Sequence, residues 1–171
     1  MKILVVSDSH GDRKIIQQLV DRYDGQVDGI FHCGDSELSL DDPLIAKMHI
    51  VQGNMDFAEF PDHELEKIDH QTILVTHGHH QNVNGGLLNL ELYARSLSAN
   101  IVLFGHTHQL GVTFDDNILF VNPGSISQPR GEYAPLGGTY AMVSSNDQQY
   151  TIQYYNREFQ PIDNLKFSFT S

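Results

Sequence analysis

The run KILVVS, residues 2–7, is apolar and β-branched with no alternation, and it stops at the polar cluster SDSHGD. A strand that is apolar on both faces must be covered on both faces. That requirement excludes a sheet with one wet side and points to a layered α/β domain. The next segment, 12–23, places Ile15, Ile16, Leu19, Val20 and Tyr23 at helical spacing behind Asp12, a good N-cap. GIFHC, 29–33, reads as a second strand, so the strand–helix–strand unit is parallel and right-handed.

The same grammar continues. MHIVQ, 48–52, reads as a third strand, and LEKID and TILVTHG read as a hairpin about residues 69–71. The pattern predicts a helix over 85–98, despite its two opening glycines, and a buried strand over 100–104. Hairpins follow about residues 115–117 and 146–147, while the stretch from Arg157 carries no clear pattern. Repeats, linkers and low-complexity segments are absent, so the 171 residues are expected to form a single domain, 1–171.

Each early strand ends in a short loop rich in Gly, Asp, His or Asn. These loops supply Asp8, His10, Asp35, Asn54, His77, His106 and His108. In α/β folds the carboxyl ends of the strands are where ligands bind. Oxygen and imidazole donors without thiolate suit Mn²⁺, Fe²⁺ or Zn²⁺ and disfavour Cu(I) or an iron–sulfur cluster. Seven such side chains exceed what one ion with an open position needs, but they match two ions sharing a carboxylate, for which Asp35 is the central candidate. His106 and His108, two apart after a buried strand, share a face in an extended backbone and could point jointly at one object. Asn54, taken alone, is an ordinary turn former.

The formal charge of −12, from 22 acidic and 10 basic residues, repels a phosphate backbone and argues against broad nucleic-acid binding. A small phosphorylated substrate held by a local metal is not excluded by that charge. One cysteine, Cys33, precludes an intramolecular disulfide, and the interrupted apolar run at the N-terminus is too short for a signal peptide or a membrane span. Both features lead to the expectation of a cytoplasmic protein with no membrane partner.

DSH, GD, GNMD, THGH and GHTH occur in that order from residue 8 to 108, and NPGSISQPRG follows at 122–131. This series resembles the calcineurin-like metallophosphoesterase superfamily. More narrowly, it is similar to the small phosphodiesterases of the YfcE type, to which the retromer subunit VPS29 is related. The resemblance implies a metallophosphoesterase fold in the α/β class, two β-sheets packed face to face and flanked by helices as a four-layer αββα sandwich. It further implies that Asp8, His10 and His108 hold one metal, that Asn54, His77 and His106 hold the other, and that Asp35 bridges them. Two divalent ions are expected, Mn²⁺ first, with Fe²⁺, Zn²⁺ or Ni²⁺ as alternatives. A hydroxide held between them would then attack a small phosphodiester substrate. The alternatives are a phosphomonoesterase acting on small phosphorylated metabolites and a VPS29-like interaction module. A homo-oligomer is compatible with the sequence.

Many members of the wider superfamily carry a histidine where this chain has Met55, and a thioether has no proton to give. His79, Asp56 and Arg130 are therefore the remaining candidates for catalytic side chains: His79 as an acid or ligand-orienting group, Asp56 as a loop holder, and Arg130 as a phosphate clamp. His32, His49, His63, His70 and His80 read as structural or surface residues, and Ser125 as a turn residue near the site.

Overall fold

The computed structural model describes residues 1–146 and 148–170. β1 (Lys2–Val6) and β2 (Gly29–His32) pair in parallel across α1 (Arg13–Tyr23). Asp12 caps that helix by accepting a hydrogen bond from the Ile15 amide at 3.3 Å. β3 (His49–Ile50) extends the sheet on one side. β9 (Thr139–Ser145), β10 (Gln149–Asn156) and β11 (Pro161–Thr170) extend it antiparallel on the other, in the order β11-β10-β9-β1-β2-β3. The second sheet contains β4 (His63–Ile68), β5 (Gln71–Thr76), β6 (Ile101–Leu103), β7 (Leu110–Asp115) and β8 (Ile118–Pro123), in the order β4-β5-β6-β8-β7.

The continuous apolar runs are divided between two cores by strand alternation. Ile3 and Val5 of β1 join Phe31, Ile73, Val75 and Ile101 in the layer between the sheets. Leu4 and Val6 point the other way, onto Ile15, Ile16, Leu19 and Val20 of α1. On the second sheet Leu74 and Val102 meet Leu90 and Ala94 of α2 (Leu88–Ser96). Each fully buried aliphatic side chain contributes about 1.5–3 kcal/mol of transfer free energy. The two mixed sheets, each with a helix on its outer face, form the metallophosphoesterase fold implied above. Among the described residues no helix is long and apolar enough to cross a membrane.

Several boundaries differ from the sequence reading. The third strand contracts from 48–52 to His49–Ile50, because the chain leaves the sheet to build the loop that carries Asn54. The second helix begins at Leu88 rather than at residue 85. Gly86 has φ +129°, a conformation outside the helical region, and residues Val83–Gly85 form a 3₁₀ turn instead. A further 3₁₀ turn, Pro43–Lys47, had no counterpart in the sequence reading. The stretch from Arg157 contains β11, the longest strand, with Leu165 buried and Phe167 and Phe169 packed at the edge of the inter-sheet core. In the expected hairpin turn at 146–147, Asp147 lies outside the described residues.

The edge strands β3 and β4 belong to different sheets, and His49 joins them. Its Nδ1 lies 3.0 Å from Glu64 Oε2 and 3.5 Å from Glu66 Oε1, and its ring stacks on Phe31. The hydrogen bond to Glu64 raises the His49 pKa, burial opposes it, and the charges of Glu66 and Glu64 add to the rise. A raised folded pKa adds stability that is fully present below the unfolded value and is lost as pH rises through the folded one. The wild-type melting temperature should therefore exceed that of His49→Gln at about pH 5.5, and the gap should close toward pH 8. A gap independent of pH would mean that the ring acts through packing alone.

Candidate metal centre

The strand-end loops converge at one edge of the two sheets. Asp8 and His10 follow β1, Asp35 follows β2, Asn54 lies beyond β3, His77 follows β5, and His106 and His108 follow β6. Backbone strain accompanies this convergence. Asp8, His10, Asp35, His106 and His108 all have φ between +44° and +68°. Left-handed non-glycine residues cost on the order of 1–3 kcal/mol each and persist where their surroundings over-determine them.

Two glycines make the approach feasible. A Cβ on Gly53 would sit 2.1 Å from Asp35 Oδ1, and one on Gly105 would sit 2.0 Å from Ser7 Oγ and 2.7 Å from Asp8 Oδ2. Gly53→Ala should therefore displace the Asp35 carboxylate while leaving the inter-sheet core intact. We expect a loss of Mn²⁺ affinity of about tenfold or more, read by calorimetry, as for other perturbations of ligand-orienting groups. An alanine variant with wild-type Mn²⁺ affinity would show that Asp35 does not need this position.

The side chains fall into two groups that share Asp35. Ligand atoms of Asp8, His10, Asp35 and His108 lie within 4.8 Å of one another and could hold a metal ion. His108 Nε2 is 3.3 Å from Asp8 Oδ1 and 3.2 Å from His10 Nε2. On the other side His77 Nε2 is 3.1 Å from Asn54 Oδ1, and the His106 ring centroid is 5.0 Å from that of His77. Asp35 Oδ2 lies between the groups, 3.9 Å from His10 Nε2 and 3.4 Å from His77 Nε2. Asp8, Asp35, His77 and His108 are buried, His10 and His106 half-buried, and Asn54 exposed.

The outer nitrogens of these rings are anchored. His77 Nδ1 is 2.7 Å from the Cys33 carbonyl, and His108 Nδ1 is 2.7 Å from the Gln128 carbonyl. A carbonyl can only accept, so each Nδ1 carries the proton and each neutral ring turns an Nε2 lone pair inward. His10 Nδ1 lies 2.9 Å from Glu37 Oε1, the same arrangement with a carboxylate. The inward faces are thus acceptor against acceptor, and the buried Asp8 Oδ1 has no hydrogen-bond donor. Protonation is one relief of this arrangement. Burial lowers the pKa of His77 and of His108, but Asp35 and Asp8 beside them more than offset it and leave both raised. A divalent cation fits this donor set, and metal-bound histidines characteristically donate their second nitrogen in this way.

The remaining candidates sit outside this cluster. Asp56 spends both oxygens on the chain itself: Oδ2 accepts from the Asp35 and Gly53 amides at 2.9 and 2.8 Å, and Oδ1 accepts from Ser36 Oγ and the Glu37 amide at 3.1 and 2.6 Å. It is a staple between the Asp35 and Asn54 loops. His79 packs against the His77 and His80 rings, its buried Nδ1 has no partner, and burial followed by the neighbouring imidazoles pulls its pKa down to about 4. Arg130 is exposed and lines an open cleft of ≈ 290 Å³ with Met55, Glu37 and the histidines His10, His106 and His108. His79 is not among the residues lining that cleft.

Among the supports of the site, sequence reasoning placed Ser125 near it and read His32 as structural or surface, but it did not single out Glu37. Glu37 anchors His10. His32 is fully buried against Ser9 Oγ at 2.9 Å, behind the first loop. Ser125 donates to the Asp8 carbonyl and accepts from the Gln128 amide, both at 2.7 Å, so the 122–131 loop is tied to the first one. The spacing of GDSE and the segment NPGSISQPRG were the available signals for Glu37 and Ser125.

A family model, the calcineurin-like phosphoesterase superfamily domain, matches residues 1–148. The chain belongs to this superfamily. Among the metallophosphoesterases it resembles is the probable metallophosphoesterase YsnB of Bacillus subtilis (strain 168), 36% identical over 167 residues and 97% of each chain. The phosphodiesterase MJ0936 of Methanocaldococcus jannaschii is 28% identical over 144 residues, 72% of this chain and 83% of that protein. The crystal structure of a conserved uncharacterized protein from Streptococcus pneumoniae TIGR4, described as a predicted phosphoesterase, superposes with a TM-score of 0.96 at 39% identity. It covers 99% of this chain and 97% of that one. The E. coli phosphoesterase Yfce and Vps29 of Entamoeba histolytica share the calcineurin-like fold at 18% and 24% identity, with TM-scores of 0.63 and 0.71.

Proposed function

We propose that this metallophosphoesterase hydrolyses phosphodiesters with two divalent ions, of which Mn²⁺ is the first choice and Fe²⁺, Zn²⁺ or Ni²⁺ suit the same donors. The observation that carries this reading is the inward-facing acceptor set, with His77 and His108 locked through Nδ1 and Asp35 between the two groups. Asp8, His10 and His108 would hold one ion, Asn54, His77 and His106 the other, and Asp35 both. Bound there, the ions would supply Lewis acidity at the phosphoryl oxygens and a water acidified toward neutral pH.

The chain's own residues do the rest. Glu37 and the Gln128 and Cys33 carbonyls fix the imidazoles so that little reorganisation remains when substrate binds. Asp56 fixes the loops of Asp35 and Asn54 relative to each other. Arg130 stands in the cleft wall as a planar clamp for a phosphate oxygen. One arginine in a cleft that also holds Glu37 suits a singly charged diester better than a dianionic monoester, and the similarity to a protein named a phosphodiesterase supports the same choice.

Metal-stripped protein reloaded with Mn²⁺ should hydrolyse a nitrophenyl diester faster than the matching monoester. Its metal content should approach two equivalents. Protein that stays metal-free under saturating Mn²⁺, Fe²⁺ and Zn²⁺ would overturn the mechanism. Turnover confined to monoesters would overturn the substrate class.

A further inference from the structure

A second cavity of ≈ 570 Å³, larger than the catalytic cleft, opens on the outer face of the five-stranded sheet beside α2. Its floor is apolar, built from Phe104, Phe120, Val83 and Leu87. Asn84, Gln109 and Thr113 add amide and hydroxyl groups to its walls. In a chain with a net charge of −12, none of its lining residues is charged. An opening of this size, with apolar and uncharged polar groups in nearly equal share, has room for a small molecule. With no cationic side chain in the wall, an uncharged group suits it better than a phosphate, and side-chain amides match the donor–acceptor edges of a nitrogen heterocycle.

The loop 106–109 is the partition between the two cavities. His106 and His108 line the catalytic cleft, whereas Thr107 and Gln109 line the second cavity. Asn122, buried in that wall, donates to the Gly105 carbonyl at 3.0 Å and to Thr107 Oγ1 at 3.1 Å. The Gln109 side chain lies against Gly131, the neighbour of Arg130. A ligand that shifts Thr107 or Gln109 must therefore move a segment that carries two metal-facing imidazoles.

We propose that this cavity binds an uncharged nitrogen heterocycle of nucleoside size, and that its occupancy is felt at the metal centre through Thr107 and Gln109. The binding stands on the cavity alone, whereas the relay rests on the metal-dependent function proposed above.

Gly111 provides a direct test. It sits on β7 without a positive φ, and a Cβ there meets nothing within 4 Å, so a larger side chain fills the cavity rather than the core. Adenosine, guanosine, cytidine and uridine are titrated calorimetrically into the Mn²⁺-loaded protein and into metal-stripped protein. At least one should bind with a Kd below about 1 mM, and Gly111→Leu should weaken it about tenfold or more. Asn84→Asp, at an exposed position, should also weaken it by exchanging an amide edge for a carboxylate, which covers the case of a misfolded leucine variant. The bound nucleoside should change Mn²⁺ affinity by about fivefold or more. No saturable binding of any of the four, or equal binding in both variants, overturns the site, and unchanged Mn²⁺ affinity overturns the relay. Nucleoside binding by metal-stripped protein needs no catalysis. Protein that binds nucleoside but cleaves no diester would refute the catalytic reading and leave the site standing, and the reverse result would do the opposite.

Discussion

Asp35→Asn should empty both metal positions and lower diester turnover by about 10³-fold or more. Its Oδ2 is the atom that approaches both imidazole groups, at 3.9 Å from His10 Nε2 and 3.4 Å from His77 Nε2. Substitution by asparagine removes the one negative charge the two proposed ions would share. Metal-assisted stabilisation is worth several kcal/mol, and each 1.36 kcal/mol is tenfold in rate. His108→Ala is the contrast, because His108 belongs only to the group with Asp8 and His10. It should halve the metal content rather than abolish it. Elemental analysis and turnover measured together decide the matter. Equal metal loss in both variants would place the shared ligand elsewhere. Chelation should lower the melting temperature by linkage yet leave a folded protein, because Ile3, Phe31, Ile73 and their neighbours bury the inter-sheet core without any ligand residue.

The second large effect concerns the leaving group. Met55 is half-exposed in the cleft wall, where its thioether can donate no proton. Its backbone amide is already committed to Asp35 Oδ1 at 2.7 Å. His79 does not line the cleft, and Asp56 is saturated by chain donors. Expulsion of the alcohol should therefore depend on the alcohol's own acidity. Nitrophenyl diesters should turn over well and alkyl diesters poorly, with the logarithm of the rate falling steeply as leaving-group pKa rises. Met55→His would introduce a candidate general acid, and a well-placed one contributes roughly 10²–10⁴-fold. That gain should appear on alkyl diesters and leave nitrophenyl turnover nearly unchanged. A shallow dependence in the wild-type protein, steepened by His79→Ala, would show instead that His79 already protonates the departing oxygen.

Most strands were legible along the chain because apolar runs and alternation act over a few residues, whereas their order within the two sheets was not. KILVVS announced a strand covered on both faces, and the five-residue stripe of α1 announced its partner. The run NLKFSFT in β11 also alternates, a signal passed over when the stretch from Arg157 was read as having no clear pattern; as an edge strand it has few buried positions. The ligand types and their loops were legible too, since Asp, His and Asn at strand ends are local facts, and the order of the motifs carried the family.

What sequence could not decide is the geometry that only convergence creates. That Asp35 lies between two groups depends on loops more than 70 residues apart meeting at one edge: Asp35 follows β2 of one sheet and His106 follows β6 of the other, and the packing of the two sheets brings them to one cleft. That His77 and His108 turn Nε2 inward depends on the carbonyls of Cys33 and Gln128, which are 44 and 20 residues away. Asp56 was expected from the sequence as a loop holder, but which loops it joins follows only from its four donors on two of them. Local chemistry determines which atoms are able to bind a cation. Tertiary structure decides which of their lone pairs face one another, because a ring's orientation is set by the hydrogen bond on its far side.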